Sequence, residues 1–266
     1  GDLTGIGAEI GVRNNQPTVL RVINDSPAAK AGLQKGDVFV LVNGESMNGK
    51  TAADVASKVR GDAGTTVKLA MRRGETKQEY AITRAQVNDP SVRWDVINGA
   101  GVMTISRFDE QTGMLARRAA QEFIDKQVKG VVLDLRDNGG GYLTAAQALA
   151  SVWLNDQVVV TEKTGGKVVD TVKTERHALL GDIKTVVLTN GNTASASEIV
   201  AGALQEYGKA TLIGEKTYGK GTVQKIVNLS DGRILKVTTA RWYTPKGKNI
   251  TKEGITPDKT IHITKD

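Results

Sequence analysis

The chain repeats itself once, and the repeat limits the folds open to it. GVVLDLRDNGGGYLTAAQALASVWL from Gly130 and TVVLTNGNTASASEIVAGALQ from Thr185 each run from a β-branched strand through a small-residue turn into an apolar helix, about 55 residues apart. Continuous apolar strands such as Val131–Leu135 and Ile183–Thr189 need cover on both faces, which suits a parallel sheet. Adjacent parallel strands would put both turns at one carboxyl edge, where open α/β sheets carry their sites. The NGGG turn is therefore expected to face the TASAS turn. The second turn opens a helix near Ser195, with Ile199, Val200, Ala203 and Leu204 at helical spacing. Free N–H groups and the positive end of a helix dipole would then point at whatever binds there.

Composition removes several alternatives. The 266 residues are 39% hydrophobic and 24% charged, as in ordinary globular chains of one or two domains. No apolar run approaches the roughly 18 residues of a membrane span. Without cysteine there is no disulfide, thiolate zinc site or cysteine nucleophile. The only histidines are His177 and His262 and the carboxylates are scattered, so neither metal nor cofactor is expected. His177 reads as a surface residue, since no orienting carboxylate stands near it. Residue 1 is a glycine that leads directly into a domain, so a signal peptide would lie outside this sequence. The net charge of +7 falls in the last 60 residues, where 12 Lys/Arg face 5 Asp/Glu. Those cations are spread over strands and turns without a nucleic-acid-binding signature, so a solvated basic face is expected and no nucleic acid partner.

From Gly5 to about Val87 the pattern is β-rich with short helices. GIGAEIGV leads to TVLRVI, SPAAKAG, LQKGDVFVLVNG with its Asn43-Gly44 hairpin turn, the helical run TAADVASKVRG, and the strands TTVKLAMRRG and EYAIT. This order resembles a PDZ domain of bacterial proteases, through Gly5-Ile6-Gly7-Ala8, Ser26-Pro27-Ala28-Ala29, Ala31-Gly32-Leu33 and Gly36-Asp37. The resemblance implies a carboxylate-binding loop at Gly5, Ile6, Gly7 and Ala8, beside a strand edge that accepts an extended peptide. Ile6, Ala8 and Ile10, with Val55 and Val59 on a facing helix, would set specificity. Polar QVNDPSVRWD, with Pro90, marks a boundary, giving a PDZ domain over 1–87 and a core over 88–266. In that core GAGVMTISRF reads as a strand, and MLARRAAQEFIDKQV as a helix with an apolar face of Leu115, Ala119, Phe123 and Ile124. A hairpin turns at Gly165-Gly166, and GRILKVTTARWYTPKGKNITKEGITPD reads as two strands with a Gly/Pro-rich ending.

Two chemistries compete for the segment after the second repeat. Gly214 to Lys220 matches GxxxxGK, but Gly221 stands where a phosphate loop needs Ser or Thr, and a strand-like run follows instead of a helix. The other chemistry is a serine nucleophile served by a lysine. Such a lysine acts as base only when neutral, and lowering its pKa from ~10.4 to ~7 takes about 4 kcal/mol of differential interaction. Burial in an apolar wall is expected to supply it: Lys220 lies between Gly219 and Gly221, with Tyr218, Val223 and the preceding strand as desolvating neighbours, and Gln224 is placed to bond its nitrogen without adding charge. Ser195 equally fits the Ser-x-x-Glu capping box with Glu198, and local sequence leaves both readings open.

Ser195 in NTASASEI, Lys220 in GEKTYGKG and Gln224 resemble the Ser/Lys/Gln constellation of carboxyl-terminal processing proteases, the tail-specific proteases. LDLRDNGGG and TPKGKNITKEGITPD are similar to two further signatures of that family, and the resemblance spans essentially the whole chain. It implies an α/β core of the ββα crotonase and Clp-peptidase type behind a mostly-β PDZ domain. The implied roles are Ser195 as nucleophile, Lys220 as general base and Gln224 as its positioner. Backbone N–H groups of Ala196 and of a glycine in Gly139 to Gly141, Gly140 and Gly141 foremost, would form an oxyanion hole, and Glu206 stands where some members carry an acid that affects activity. Protein or peptide substrates engaged by their C-termini are the implied partners, with room for an adaptor protein, for self-association, and for membrane attachment through segments outside this sequence. An extracytoplasmic location in the periplasm or cell envelope is likewise implied. Family members carry helical residues before the PDZ domain that this sequence does not include. The reading from another class is a PDZ peptide-binding scaffold with a catalytically silent core.

Overall fold

The structure, a computed structural model, describes residues 3–251 and 253–262, with side chains except at 3–4, 223–226 and 236–239. It divides into two compact units, Gly1–Asp89 and Pro90–Asp266.

The first unit holds β1 (Leu3–Gly5), β2 (Ala8–Arg13), β3 (Gln16–Val22), α1 (Pro27–Ala31), β4 (Val38–Val42), β5 (Glu45–Ser46), α2 (Ala52–Val59), β6 (Thr66–Arg73), β7 (Thr76–Thr83) and β8 (Ala85–Val87). Its main sheet runs β2-β3-β4-β6-β7 with β5 on β4, while β1 pairs with β8. Alternation sets the register: Val67, Leu69 and Met71 of β6 point inward onto Phe39, Met47 and Val55. Asn43-Gly44 turns the chain between β4 and β5 with positive φ at both residues, and Asn14-Asn15 does the same between β2 and β3. A full capping box at Thr51 and Asp54 opens α2.

The second unit holds β9 (Val92–Ile97), β10 (Ala100–Ile105), α3 (Thr112–Asp125), β11 (Gly130–Asp134), α4 (Leu143–Ala150), β12 (Val158–Thr164), β13 (Lys167–Lys173), β14 (Thr185–Thr189), α5 (Ala196–Glu206), β15 (Ala210–Gly214), β16 (Thr222–Asn228), β17 (Ile234–Tyr243) and β18 (Lys259–Thr260). The central sheet runs β18-β15-β14-β11-β10-β9 and is parallel except for β9. A second, antiparallel sheet runs β13-β12-β17-β16. Both repeats form as expected, and β11 pairs directly with β14, so their turns share one edge. α5 is buried on every side from Ala196 to Leu204, its apolar residues in the core and its two polar ones, Ser197 and Glu198, met by hydrogen bonds.

Two expectations shift. The buried face of α3 is Ala116, Ala119, Ala120 and Phe123, while Ile124 is exposed. GRILKVTTARWY forms one strand, β17, whose hairpin partner β16 lies upstream. Glu206, at the end of α5, accepts from Thr244 Oγ1 and Lys246 N–H, both at 2.8 Å, and so anchors the segment after β17.

Candidate active site

The turns after β11 and β14 are bolted together side by side. Asp137 N–H donates to Asn190 Oδ1 at 3.0 Å, and the amides of Asn190 and Asn192 return to Asp137 Oδ1 at 3.0 and 2.9 Å. Thr193 Oγ1 donates to Leu135 O at 2.8 Å, and Ala194 N–H to Asn138 O at 2.9 Å. Asn138 is wholly buried, donates to Ile105 O at 2.7 Å and accepts from Ser197 Oγ at 2.8 Å. These bonds fix the NGGG backbone against the start of α5.

Ser195 stands at that start with φ 59° and ψ −120°. An N-cap residue ordinarily has extended backbone, and a non-glycine residue held at positive φ stores about 1–3 kcal/mol. Its N–H donates to Glu198 Oε1 at 2.9 Å, while Glu198 N–H is taken by the Ser195 carbonyl oxygen at 2.9 Å. Gly140 packs so closely that a Cβ there would lie 2.7 Å from Ser195 Cβ and 3.0 Å from Ala196 N. Ala196 is the first residue of α5, where helix geometry leaves its N–H without an intrahelical acceptor.

The glycines divide differently from expectation. Gly140 N–H donates to Asn138 Oδ1 at 2.9 Å and is spent within its own turn. Gly141 bridges to Phe108, whose N–H and C=O bond Gly140 O and Tyr142 N–H at 3.0 and 3.1 Å. That pattern turns Gly141 N–H away from Phe108. Among the described contacts the N–H groups of Ala196 and Gly141, unlike that of Gly140, are not taken up within these turns.

The loop after β15 is tied to the same helix. Tyr218 N–H donates to Thr193 O at 2.9 Å. Glu198, with no exposed surface, accepts from Thr217 Oγ1 at 2.6 Å and from Gly219 and Lys220 N–H at 2.9 Å each. Its Oε1 therefore joins the backbone of Ser195 to that of Lys220. The burial expected of Lys220 is not found: its side chain is exposed, as is Tyr218 beside it, and among the described contacts no hydrogen bond joins it to Ser195. Gln224 lies in β16 opposite Thr238, and its side chain is outside the described residues. The strand after Gly221 also removes the phosphate-loop alternative, which needs a helix there. Both histidines are exposed, and among the described residues no cluster could hold a metal ion. Asn138, Glu198 and Thr217 escape the sequence reading as site residues, Glu198 signalling itself only through the capping-box spacing.

In the first unit a groove of about 280 Å³ runs between β2 and α2, lined by Ile6, Ala8 and Ile10 and by Ala56, Val59 and Arg60. Val55 is not on this wall: it is wholly buried in the core, and the next residue, Ala56, faces the groove. Ala28 N–H donates to Ile6 O at 2.7 Å and Ile23 N–H to Gly7 O at 2.8 Å. Because the peptides are trans, the N–H groups of Gly7 and Ala8 point the opposite way. Gly7 has φ 83°, and a Cβ there would lie 2.2 Å from Ser26 Cβ, so only glycine fits. β2 ends its sheet, leaving an edge for strand addition. Arg84, itself buried, donates to Val59 O at 2.8 Å and to Thr65 Oγ1 at 2.9 Å, tying down the end of α2.

The profile of Peptidase family S41 matches residues 99–261, and that of a PDZ domain matches residues 18–73. The chain is 38% identical over 263 residues to a probable CtpA-like serine protease of Staphylococcus haemolyticus (strain JCSC1435), covering 98% of this chain and 53% of that protein. A probable CtpA-like serine protease of Staphylococcus aureus (strain COL) is 38% identical over 267 residues, 100% of this chain and 54% of the relative. The chain thus spans about half the length of the curated relatives it matches. Among solved structures, a photosystem II D1 C-terminal processing protease superposes with a TM-score of 0.63 at 32% identity, over 97% of this chain and 72% of that one. A putative S41 protease from Bacteroides fragilis NCTC 9343 shares the fold, with a TM-score of 0.64 at 23% identity over 98% and 76%.

Proposed function

Because the chain belongs to peptidase family S41 and carries a PDZ domain ahead of its peptidase core, we propose that it is a serine-type C-terminal processing endopeptidase. Protein tails would enter by their C-termini at the PDZ groove and be cut by Ser195, with Lys220 as general base and Gln224 holding that base. The observation that carries this reading is Ser195 itself, held at φ 59° at the opening of α5 and joined through Glu198 Oε1 to the backbone of Lys220.

In this scheme the neutral amine of Lys220 takes the Oγ proton as Ser195 attacks the scissile carbonyl carbon. The oxyanion accepts from Ala196 and Gly141 N–H, aided by the positive end of α5. The ammonium then protonates the leaving nitrogen, and water repeats the cycle on the acyl-enzyme. With its backbone already anchored, Lys220 reaches Ser195 by rotating its exposed side chain.

The test is incubation with an unstructured protein of apolar C-terminus. Cleavage is expected in the wild type, in His177→Ala and in His262→Ala, and not in Ser195→Ala or Lys220→Arg. Arginine keeps the charge but cannot deprotonate. Cleavage by the alanine variant at Ser195 would end the protease reading, and activity in Lys220→Arg would move the base elsewhere. A wild type that binds tails without ever cutting them would leave the silent peptide-binding scaffold.

A further inference from the structure

Among the described residues, Thr251 Oγ1 is the buried side-chain oxygen that has no hydrogen-bond partner. Its N–H is taken, donating to Asn249 Oδ1 at 3.0 Å. Buried hydroxyls are nearly always bonded, and one left unpaired is costly unless another state of the molecule pairs it. Thr251 lies directly against the lysine loop. A Cβ on Gly221 would stand 2.7 Å from Thr251 N and 2.9 Å from Ile250 Cβ, so nothing separates the two backbones. Trp242 N–H donates to Gly221 O at 2.7 Å, holding that approach. The neighbour of Gly221 is Lys220, whose side chain lies outward. Its four methylenes are long enough to fold back over Gly221.

A lysine that works as base has one lone pair and two N–H bonds. The lone pair faces the serine only if the N–H bonds are held elsewhere. Gln224 accounts for one of them in the scheme above. We propose that Thr251 Oγ1 accepts the other, a positioning residue that turns the lone pair of Lys220 toward Ser195 and favours the inward lysine. The proposal rests on the reading of Lys220 as general base.

Thr251→Val removes the hydroxyl and keeps the shape. Its kcat should fall about tenfold, the worth of one hydrogen bond, with KM unchanged. Thr251→Ser should recover most of the rate. The melting temperature of the valine variant should equal or exceed that of the wild type, because an unpaired buried oxygen has gone. A valine variant with wild-type kcat overturns the proposal, as does a rate loss that serine does not repair or that comes with a matching loss of stability. If valine does not fold, Thr251→Ala is compared with Thr251→Ser under the same criteria. Lys220→Arg is assayed alongside. Turnover there removes the general-base reading itself, whereas a dead arginine variant beside a fully active valine variant removes only the role of Thr251.

Discussion

Glu198 meets four donors with two oxygens: the N–H groups of Ser195, Gly219 and Lys220, and the Thr217 hydroxyl. Glu198→Gln keeps the shape but aims an NH2 at donors that need an acceptor. The variant should unfold about 1–3 kcal/mol more easily, and kcat/KM should fall while peptide affinity for the PDZ groove stays unchanged. Urea unfolding, turnover and a peptide titration check this, and a glutamine variant as stable and active as the wild type would make the tether dispensable. Ser195 and Lys220 are singled out by the resemblance of their motifs, since local sequence leaves nucleophile and helix cap equally open at Ser195. Glu198 is legible only as the end of a capping box, since nothing local tells that its second oxygen reaches a loop beyond the next strand. The Gly140 N–H was beyond reach for a related reason. Asn138 folds over its own turn to bond two residues ahead, a habit of asparagine that competes with any ligand for the same donor.

The elements that carry hydrophobic periodicity are the ones the sequence places well, and the α3 face shows where that signal fails. Its packing relies on small residues: a Cβ on Gly101 would meet the Phe123 ring at 2.7 Å, and one on Gly113 would meet Ala148 Cβ at 2.6 Å. Close approach of this kind rewards alanine over leucine or isoleucine, so the most apolar stripe is not the most buried one. In the first unit, strand β6 is tied to the turn before β4 by Asp37. Burial pushes its carboxyl up, but Arg73, at 2.8 Å, and the N–H of Gln34 outweigh that and hold it below its ordinary value of 3.8. A carboxyl lowered in the folded state contributes its stability above that value and loses it as pH falls through the folded one. Asp37→Asn should therefore weaken the fold by about 1–3 kcal/mol at neutral pH, and the two proteins should converge as the pH drops below 3.8. Chemical unfolding at several pH values measures it, and a gap that stays constant into acid would mean the carboxylate charge is not what matters.

At the scale of the whole molecule, the proposed scheme assigns recognition and chemistry to separate units, which permits each to be probed alone in the intact chain. The groove between β2 and α2 offers Gly7 and Ala8 N–H to an anion, so a peptide with a free C-terminus should bind more tightly than its amide by about 1.5–3 kcal/mol. Calorimetry with Ser195→Ala, which cannot consume the peptide in the proposed scheme, separates this from turnover, and equal affinities would refute the carboxylate mode. The order of strands and the repeat made both units readable in advance, whereas Val55 was not placed correctly, because a one-residue rotation of a short helix decides wall against core. One further tie sets a schedule. Thr217 exchanges bonds with Ile255, donating its N–H to Ile255 O at 3.1 Å and accepting Ile255 N–H on Oγ1 at 2.7 Å. The ribosome delivers Ser195 and Lys220 well before it delivers Ile255. A nascent chain consequently holds the Lys220 loop by its ties to Thr193 and Glu198 before Ile255 emerges, and translation itself postpones the last of the bonds that fasten that loop.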